Sequence, residues 1–253
     1  MRNKPGKSEQ IHLKEIIFFH LSSQCKSTIY LHYLLIFTVL IFSMNKSAKS
    51  VILRVLFIPF VLLFIMWIVK IIELQFDCSF IQYGVLPKKL KGLQGILFSP
   101  FIHKDFSHLI NNSYPILILG GFLFFSYRKI AIQIFIWLFF VSGFCLWIIG
   151  RESFHIGASG IIYALASFLF FSGVIRKNPS LSALSLIIVF LYGSMIWGII
   201  PNQGPISWEG HLSGFLTGIL IAICYRNKGP KPKKYQWQID EELEAEENEV
   251  AIN

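Results

Sequence analysis

The sequence is poor in charge and in cysteine pairs. Only 15% of its 253 residues are Asp, Glu, Lys or Arg, whereas globular chains carry about 25%. The four cysteines show no paired spacing, and no His-Glu-x-x-His motif occurs. An ordinary soluble domain, a disulfide framework and a zincin metalloprotease are therefore all disfavoured. The cysteines are best interpreted as small, buried apolar residues.

Apolar residues are abundant and lie in long blocks. Six blocks are apparent, at about 51–74, 107–126, 130–149, 156–175, 181–200 and 208–225. A transmembrane helix needs about 20 apolar residues, while strands of a membrane barrel are half as long and alternate. The blocks predict an all-α polytopic membrane protein, a bundle of six transmembrane helices.

The positive charge of the chain has the distribution expected of membrane topology. The net charge is +9, but Lys and Arg cluster between the apolar blocks, as at Arg128–Lys129 and Arg176–Lys177. We therefore expect a lipid bilayer as partner and no nucleic acid. The positive-inside rule places both ends of the six-helix unit in the cytoplasm. The long first loop, about 75–104, carries four lysines on the outer side and suits the bilayer interface.

Three segments are predicted along the chain. Residues 44–225 form the membrane domain, and residues 226–253, which change from basic to acidic, form a disordered cytoplasmic tail. Residues 1–43 contain an apolar run too short for a comfortable span, behind a basic segment. They are either an interfacial extension or a mis-assigned start, with Met44 as the alternative beginning. A signal peptide is disfavoured because no small-residue cleavage site follows the run.

Polar residues within apolar blocks are expensive and need an explanation. Block four begins with Gly157-Ala158-Ser159-Gly160, which leaves the serine hydroxyl unobstructed, and Tyr163 follows four residues later on the same helix face. Taken alone, such a serine is more often a packing residue of a transmembrane helix.

Block six carries His211 beside a stripe of small residues, Gly210, Gly214 and Gly218. The stripe predicts close packing on a neighbouring helix, with the imidazole facing that helix. Either a functional histidine or a structural hydrogen bond explains it. Block two begins with His108 and Asn112, four residues apart, which can donate hydrogen bonds to one point or merely cap the helix near Ser107.

Together these groups fit acyl transfer better than any of them does alone. A nucleophile needs a base within hydrogen-bond reach, and the developing oxyanion needs preorganised donors. The chain offers Ser159, His211 and the donor pair His108 and Asn112 at one side of the membrane. Ser159 then attacks a carbonyl and His211 accepts its proton.

The three groups resemble the motifs of the rhomboid family of intramembrane proteases over about residues 44–225. The motifs occur in the family's order and on matching spans: His108…Asn112, Gly157-Ala158-Ser159-Gly160 and His211…Gly214…Gly218, with His103 as the earlier histidine. The first loop also resembles that of a bacterial branch of the family. The Trp-Arg pair that many members carry in this loop is absent between residues 75 and 104.

The resemblance implies a serine endopeptidase with a Ser159–His211 dyad and no cofactor. It further implies that His108, Asn112 and the Ser159 amide hold the oxyanion, and that Tyr163 packs on the His211 ring. Gly157, Gly160 and Gly214 support the site. The implied substrates are single transmembrane helices of other proteins, cut in a water-filled cavity open to the outer side. The implied location is a bacterial inner membrane.

Two other functions are consistent with part of the pattern. A catalytically inactive relative would only bind transmembrane helices, but it has no need of both Ser159 and His211. A transporter using the histidines as proton relays would want carboxylates inside the spans, whereas Glu152 and Glu209 lie at span edges. We treat His103 and His155 as interfacial or structural residues.

Overall fold

A computed structural model describes residues 45–176, 178–201, 204, 206–230, 237, 240, 241, 243–245 and 248. The prediction for residues 1–43 lies outside this described part, and so does most of the predicted tail. The chain divides into two compact units, residues 1–53 and 54–253. The features discussed below belong to the second unit, apart from the first turns of the first helix.

Six long apolar helices organise the described residues. They are α1 Lys46–Gln75, α2 Phe106–Ser126, α3 Ala131–Ile149, α4 Ser159–Arg176, α5 Pro179–Tyr192 and α6 Trp208–Cys224. Asn45 begins α1, since its side chain accepts a hydrogen bond from the Ala48 amide at 2.8 Å. Helices α1 to α4, and α5 with its 3-10 extension, are long and apolar enough to cross a membrane, while α6 has 17 residues. The predicted all-α membrane fold is confirmed.

Four short helical turns make up about half of the first loop. These turns are Ile81–Tyr83, Leu90–Gln94, Gly95–Phe98 and Ser99–Phe101. The loop is joined to the segment before α4 by a bridge, in which the amides of Val85 and His155 each donate to the other's carbonyl at 2.9 Å. This pairing fixes the loop against the residues that lead into the fourth helix.

Two predicted spans have different boundaries in the structure. Block four was expected from residue 156, but α4 begins at Ser159. Gly157 has a φ of +100°, which a right-handed helix cannot contain. Block five was expected to be one helix, but it changes at Gly193 into a 3-10 segment, Gly193–Ile199. Two carbonyls of that segment bond to side chains of α4 and α6, described below.

The centre of the bundle is the pair α4 and α6. They form the most extensive helix contact in the described chain, and backbones touch there. A Cβ on Gly214 would lie 2.0 Å from the Gly160 carbonyl oxygen, and one on Gly218 would lie 2.5 Å from that of Ala164. The predicted stripe of small residues thus lets the two backbones touch, which any residue larger than glycine at these positions would prevent. Ser167 adds a hydrogen bond to the Phe215 carbonyl at 2.7 Å.

The start of α2 is fixed by its cap and by a lysine from α1. Asp105 is the N-cap, two residues before Ser107, and its side chain accepts a hydrogen bond from the His108 amide at 2.8 Å. The Asp105 carboxylate thus supplies an acceptor for an amide of the first turn that has no partner within the helix. The same amide lowers the pKa of Asp105. Lys70 Nζ donates to the carbonyls of His103 and Lys104, each at 3.0 Å.

The ammonium of Lys70 is itself paired. Glu73 lies 3.1 Å away, and both side chains are almost fully buried. The other carboxylate oxygen of Glu73 accepts from the Phe80 amide at 2.8 Å. A buried ion pair needs hydrogen bonds for its remaining N–H groups and carboxylate lone pairs. The bonds that supply them join α1, the first loop and the approach to α2 in one network.

The expectation of buried cysteines was wrong for the three that the structure describes. Cys78 and Cys224 are exposed and Cys145 is half-buried. In a membrane protein an apolar residue gains little by facing inward, because lipid is as apolar as the core. Cys25 lies outside the described residues.

Candidate active site

Ser159 is the first residue of α4, immediately after a tight turn. Gly157 adopts its left-handed conformation two residues earlier, and its amide donates to the Ser99 carbonyl at 2.8 Å. Ala158 is buried and its carbonyl accepts from Ile162. The backbone around the serine is therefore held from both sides, while the serine itself is half-buried.

His211 is the fourth residue of α6 and is 9% exposed. Its ring stacks on Tyr163, with centroids 4.2 Å apart and planes inclined by 9°. The Nδ1 atom lies 2.9 Å from the Gly198 carbonyl oxygen. A carbonyl can only accept, so we infer that Nδ1 carries the proton and that Nε2 of the neutral ring holds a free lone pair. This is the tautomer that a general base requires.

The 3-10 segment after α5 positions both stacked rings. Tyr163 Oη donates to the Met195 carbonyl at 2.7 Å, and Gly198 supplies the acceptor for His211. A Cβ on Gly198 would lie 2.0 Å from Tyr163 Oη and 3.1 Å from His211 Nδ1. Only glycine lets the carbonyl approach this closely.

Close helix contact brings the surroundings of Ser159 and His211 together. Gly160 follows the serine and packs against Gly210 and Gly214, which flank the histidine; its Cβ would lie 3.3 Å from the Gly210 carbonyl oxygen. Among the described residues, no hydrogen bond joins Ser159 and His211. Catalytic hydrogen bonds are often long in the absence of substrate and tighten in the complex.

His108 lies next to the turn that precedes the serine. Its Cε1 and Nε2 atoms would be 2.7 Å from a Cβ on Gly157, so the imidazole edge rests on that glycine. Asn112 is buried, and its amide nitrogen donates to the His108 carbonyl at 2.8 Å within the helix. One amide hydrogen of Asn112 is thus engaged, and one is left for another acceptor.

A second histidine supports His108. The His103 ring meets that of His108 edge-on, with centroids 5.0 Å apart. His103 is 1% exposed, and neither of its ring nitrogens has a hydrogen-bond partner among the described residues. Burial lowers its pKa to about 4, and the charge of Lys70 acts in the same direction. His103 is therefore neutral at physiological pH.

A small cavity adjoins Ser159. Its volume is about 30 Å³, room for about two water molecules. Polar side chains in its wall include Ser99, Ser142, His155 and Ser207. Among the described residues, no group of three or more His, Cys, Asp or Glu could hold a metal ion.

Several supporting residues were not found by reading the sequence. Met195 and Gly198 act through backbone carbonyls, which no motif reveals, although two glycines in an apolar block were a signal of irregular structure. Lys70 could have been found from the sequence, because a lysine inside an apolar span needs a polar or charged partner. His155 and Ser207 form a contact described below that no spacing indicates.

Known proteins match this chain over its membrane region. The Rhomboid domain matches residues 91–228. An uncharacterised protein of Mycobacterium tuberculosis (strain H37Rv) is 30% identical over 171 residues, 62% of this chain and 70% of its own length. An uncharacterised protein of Mycobacterium leprae is 31% identical over 170 residues, 62% of this chain and 66% of its own length.

The helices and their apolar surfaces define an integral multi-pass membrane protein of the all-α class. Within that class, the domain match covers more than half of the chain and contains all three motif groups. The chain belongs to the rhomboid family.

Proposed function

We propose that this protein is an intramembrane serine endopeptidase that cleaves transmembrane segments of other membrane proteins. The observation that carries the proposal is the state of His211. Its Nδ1 is anchored on Gly198, its ring is stacked on Tyr163, and its Nε2 is left available in the neutral ring. The ring belongs to α6 and is stacked against α4, the helix that begins with Ser159, so it is arranged as a general base.

The chemistry follows from these roles. Ser159 Oγ attacks the scissile carbonyl carbon while His211 Nε2 takes the hydroxyl proton. As the tetrahedral intermediate collapses, the imidazolium returns that proton to the leaving amine, and an acyl-enzyme remains. Water, deprotonated by the same imidazole, then releases the new carboxylate and frees Ser159.

Donors for the oxyanion come from α2 and from the start of α4. The His108 edge rests on Gly157, next to the Ser159 amide, and Asn112 keeps one amide hydrogen free of its own helix. These groups would stabilise the negative oxygen of the tetrahedral intermediate. Tyr163, Gly157, Gly160 and Gly214 position the dyad without taking part in bond changes.

The substrate class follows from the membrane setting. A helix hides its carbonyls in hydrogen bonds, so the reactive segment must unwind locally before Ser159 can reach it. Small or helix-destabilising residues at the cut favour this step. The catalytic unit comprises residues 44–225 as six transmembrane helices with both ends in the cytoplasm. The membrane is the bacterial inner membrane, and residues 226–253 form a cytoplasmic tail.

The test is cleavage of a transmembrane reporter by purified protein in detergent. We expect the wild type to cleave it and Ser159→Ala and His211→Ala to lose at least about a thousandfold in rate. Ser167→Ala is the matched control, because it removes another buried serine of α4, two turns from the site. It should retain cleavage.

Labelling by a fluorophosphonate separates the remaining outcomes. Cleavage and labelling that both require Ser159 support the protease. Equal cleavage by all variants would assign the activity to another site. If the wild type neither cleaves nor reacts at Ser159, the proposal is wrong and the protein is an inactive relative that binds transmembrane helices.

A further inference from the structure

The dyad raises a positioning problem that helix packing alone does not solve. Ser159 opens α4, and His211 lies in the first turn of α6, so each follows an irregular segment of chain. Contacts at Gly160 and Gly214 set how closely the two helices approach. These contacts do not fix the first turns of α4 and α6, which depend on how the segments before them are held. Precise positioning matters because displacing a catalytic group by about 1 Å can lower turnover about a hundredfold.

His155 connects those two segments. It is four residues before Ser159 and 4% exposed. Its Nδ1 lies 2.6 Å from Ser207 Oγ, and its Nε2 lies 3.0 Å from the Arg151 carbonyl oxygen. Its backbone pairs with Val85 of the first loop. One residue therefore contacts the first loop, the approach to α4 and the start of α6.

The direction of each hydrogen bond can be assigned. Because the Arg151 carbonyl only accepts, Nε2 of His155 carries the proton and Nδ1 holds the lone pair. Ser207 must then donate its hydroxyl proton to Nδ1. The same hydroxyl oxygen accepts from the Gly210 amide at 3.2 Å, which makes Ser207 the N-cap of α6. A continuous chain of bonds thus runs from the residue before His211 to the loop before Ser159.

Arg151 strengthens the same junction. Its Nη2 donates to the carbonyls of Gly204 and Ile206, at 3.2 and 3.1 Å. Its Nε lies 3.4 Å from Glu209, a carboxylate in the first turn of α6 that is almost fully buried. Both Arg151 and His155 thus bind the chain just before or within the first turn of the histidine helix. We call the contacts of Arg151 and His155 with Gly204, Ile206, Ser207 and Glu209 the junction.

We propose that His155 is a positioning residue, which acts through Ser207 and the junction to set the geometry between Ser159 and His211. This inference rests on the proposed function. His155 does not touch the reacting atoms. It holds the cap of the base helix to the loop that presents the nucleophile, so that both first turns move as one unit.

The test compares His155→Leu and His155→Gln in the full-length protein. Leucine removes all hydrogen bonds of the ring, which reach Ser207, the Arg151 carbonyl and, at 3.4 Å, Ser153 Oγ. A glutamine amide can still donate to the Arg151 carbonyl and accept from Ser207. We expect His155→Leu to lower kcat and the rate of fluorophosphonate labelling at Ser159 about ten- to hundredfold, with KM unchanged. His155→Gln should recover most of both rates.

Two further variants separate positioning from general stability. The double variant Ser207→Ala with His155→Leu should be slowed by less than the product of the two single effects, because both variants remove the bond between His155 and Ser207. Tyr127→Phe is the control: it removes a buried hydrogen bond to Ser172 near the far end of α4. It should lower thermal stability and leave kcat and labelling as in the wild type.

The outcomes distinguish this inference from the proposed function. If wild-type cleavage and labelling do not depend on Ser159, the proposed function fails and this inference fails with it. If they do, but His155→Leu labels and cleaves at the wild-type rate, only the role of His155 is overturned. Parallel losses of stability and rate in His155→Leu, His155→Gln and Tyr127→Phe would reduce His155 to a structural residue.

Discussion

Helices α1 and α4 are both apolar enough to cross a membrane, yet they differ strongly in how much of their surface is buried inside the protein. In α4, 56% of the membrane-spanning window is buried inside the protein, whereas in α1 the share is 11%. The less hydrophobic helix is the buried one. It begins with Ser159 and carries Tyr163 and Ser167 on buried positions, while α1 exposes large side chains such as Phe57 and Phe64.

The difference follows from the solvent. In water, apolar residues mark the core, but lipid is as apolar as the core and gives no such drive. Small and polar residues therefore mark the protein interior, because they allow close packing and find hydrogen-bond partners there. Of the five candidate spans among the described residues, α1 is both the most hydrophobic and the least buried.

The largest effect should come from the α4–α6 contact. Gly214→Ala places a methyl 2.0 Å from the Gly160 carbonyl oxygen, and backbone cannot rotate out of the way. The helices must separate, so we expect turnover to fall about a hundredfold and stability by about 1–3 kcal/mol. Reporter cleavage and unfolding in detergent measure the two effects.

Gly193→Ala is the matched control for that variant. Within the part of the chain that the structure describes, its Cβ would meet only Val189 Cγ1, at an ordinary 3.6 Å. Wild-type behaviour is expected. Equal losses in the two variants would mean that glycine itself, rather than the helix contact, matters.

A buried histidine should make stability depend on pH. His103 has a pKa of about 4 in the folded protein, because burial disfavours its charge, and about 6.5 when unfolded. The unfolded chain binds the proton first, so stability is complete above about pH 6.5 and falls as the pH decreases toward 4. The difference is about 2 kcal/mol at pH 5. Unfolding at pH 7 and pH 5 measures it.

His103→Gln should reduce that pH dependence, whereas Tyr127→Phe should lower stability equally at both pH values. His108 and Lys70 act on His103 in the same direction, so adding salt should weaken the effect only slightly at this buried site. An unchanged slope in His103→Gln would assign the acid sensitivity to other groups.

A smaller effect is expected at the carbonyl that anchors the base. Gly198→Ala brings a methyl against Tyr163 Oη and His211 Nδ1 and disturbs their stack. We expect kcat to fall about tenfold, with KM little changed, because this carbonyl orients the His211 ring through Nδ1. Steady-state kinetics with the reporter tests it. A change confined to KM would contradict the proposed orientation of His211.

The smallest effect sharpens the comparison directly. Phe57→Leu on α1 replaces a side chain that is 63% exposed, so we expect a change in stability within about 0.5 kcal/mol. Phe168→Leu on α4 makes the same change at a fully buried position and should cost about 1 kcal/mol or more. Unfolding in detergent compares the pair; equal costs would contradict the contrast between the two helices.

Much of the fold could be predicted because a membrane span is recognised from the apolar composition of consecutive residues. The helical class, the approximate spans and the glycine stripe beside His211 followed from block length and spacing. The boundaries that failed are those where the tertiary structure takes backbone groups away from a helix. At Ser159 a left-handed glycine delays the start, and at Gly193 side chains draw carbonyls out of the regular pattern.

The sequence by itself determined that the chain is a bundle of apolar helices with a serine, two histidines and an asparagine where apolar residues are expected. These facts depend on residue type and spacing, which the chain carries locally. Only the tertiary structure decided which nitrogen of His211 is anchored, that Gly198 and Met195 supply the acceptors, and that His155 bonds to Ser207. Each of these contacts joins segments distant in sequence, and their partners are backbone or hydroxyl groups that almost any segment could offer.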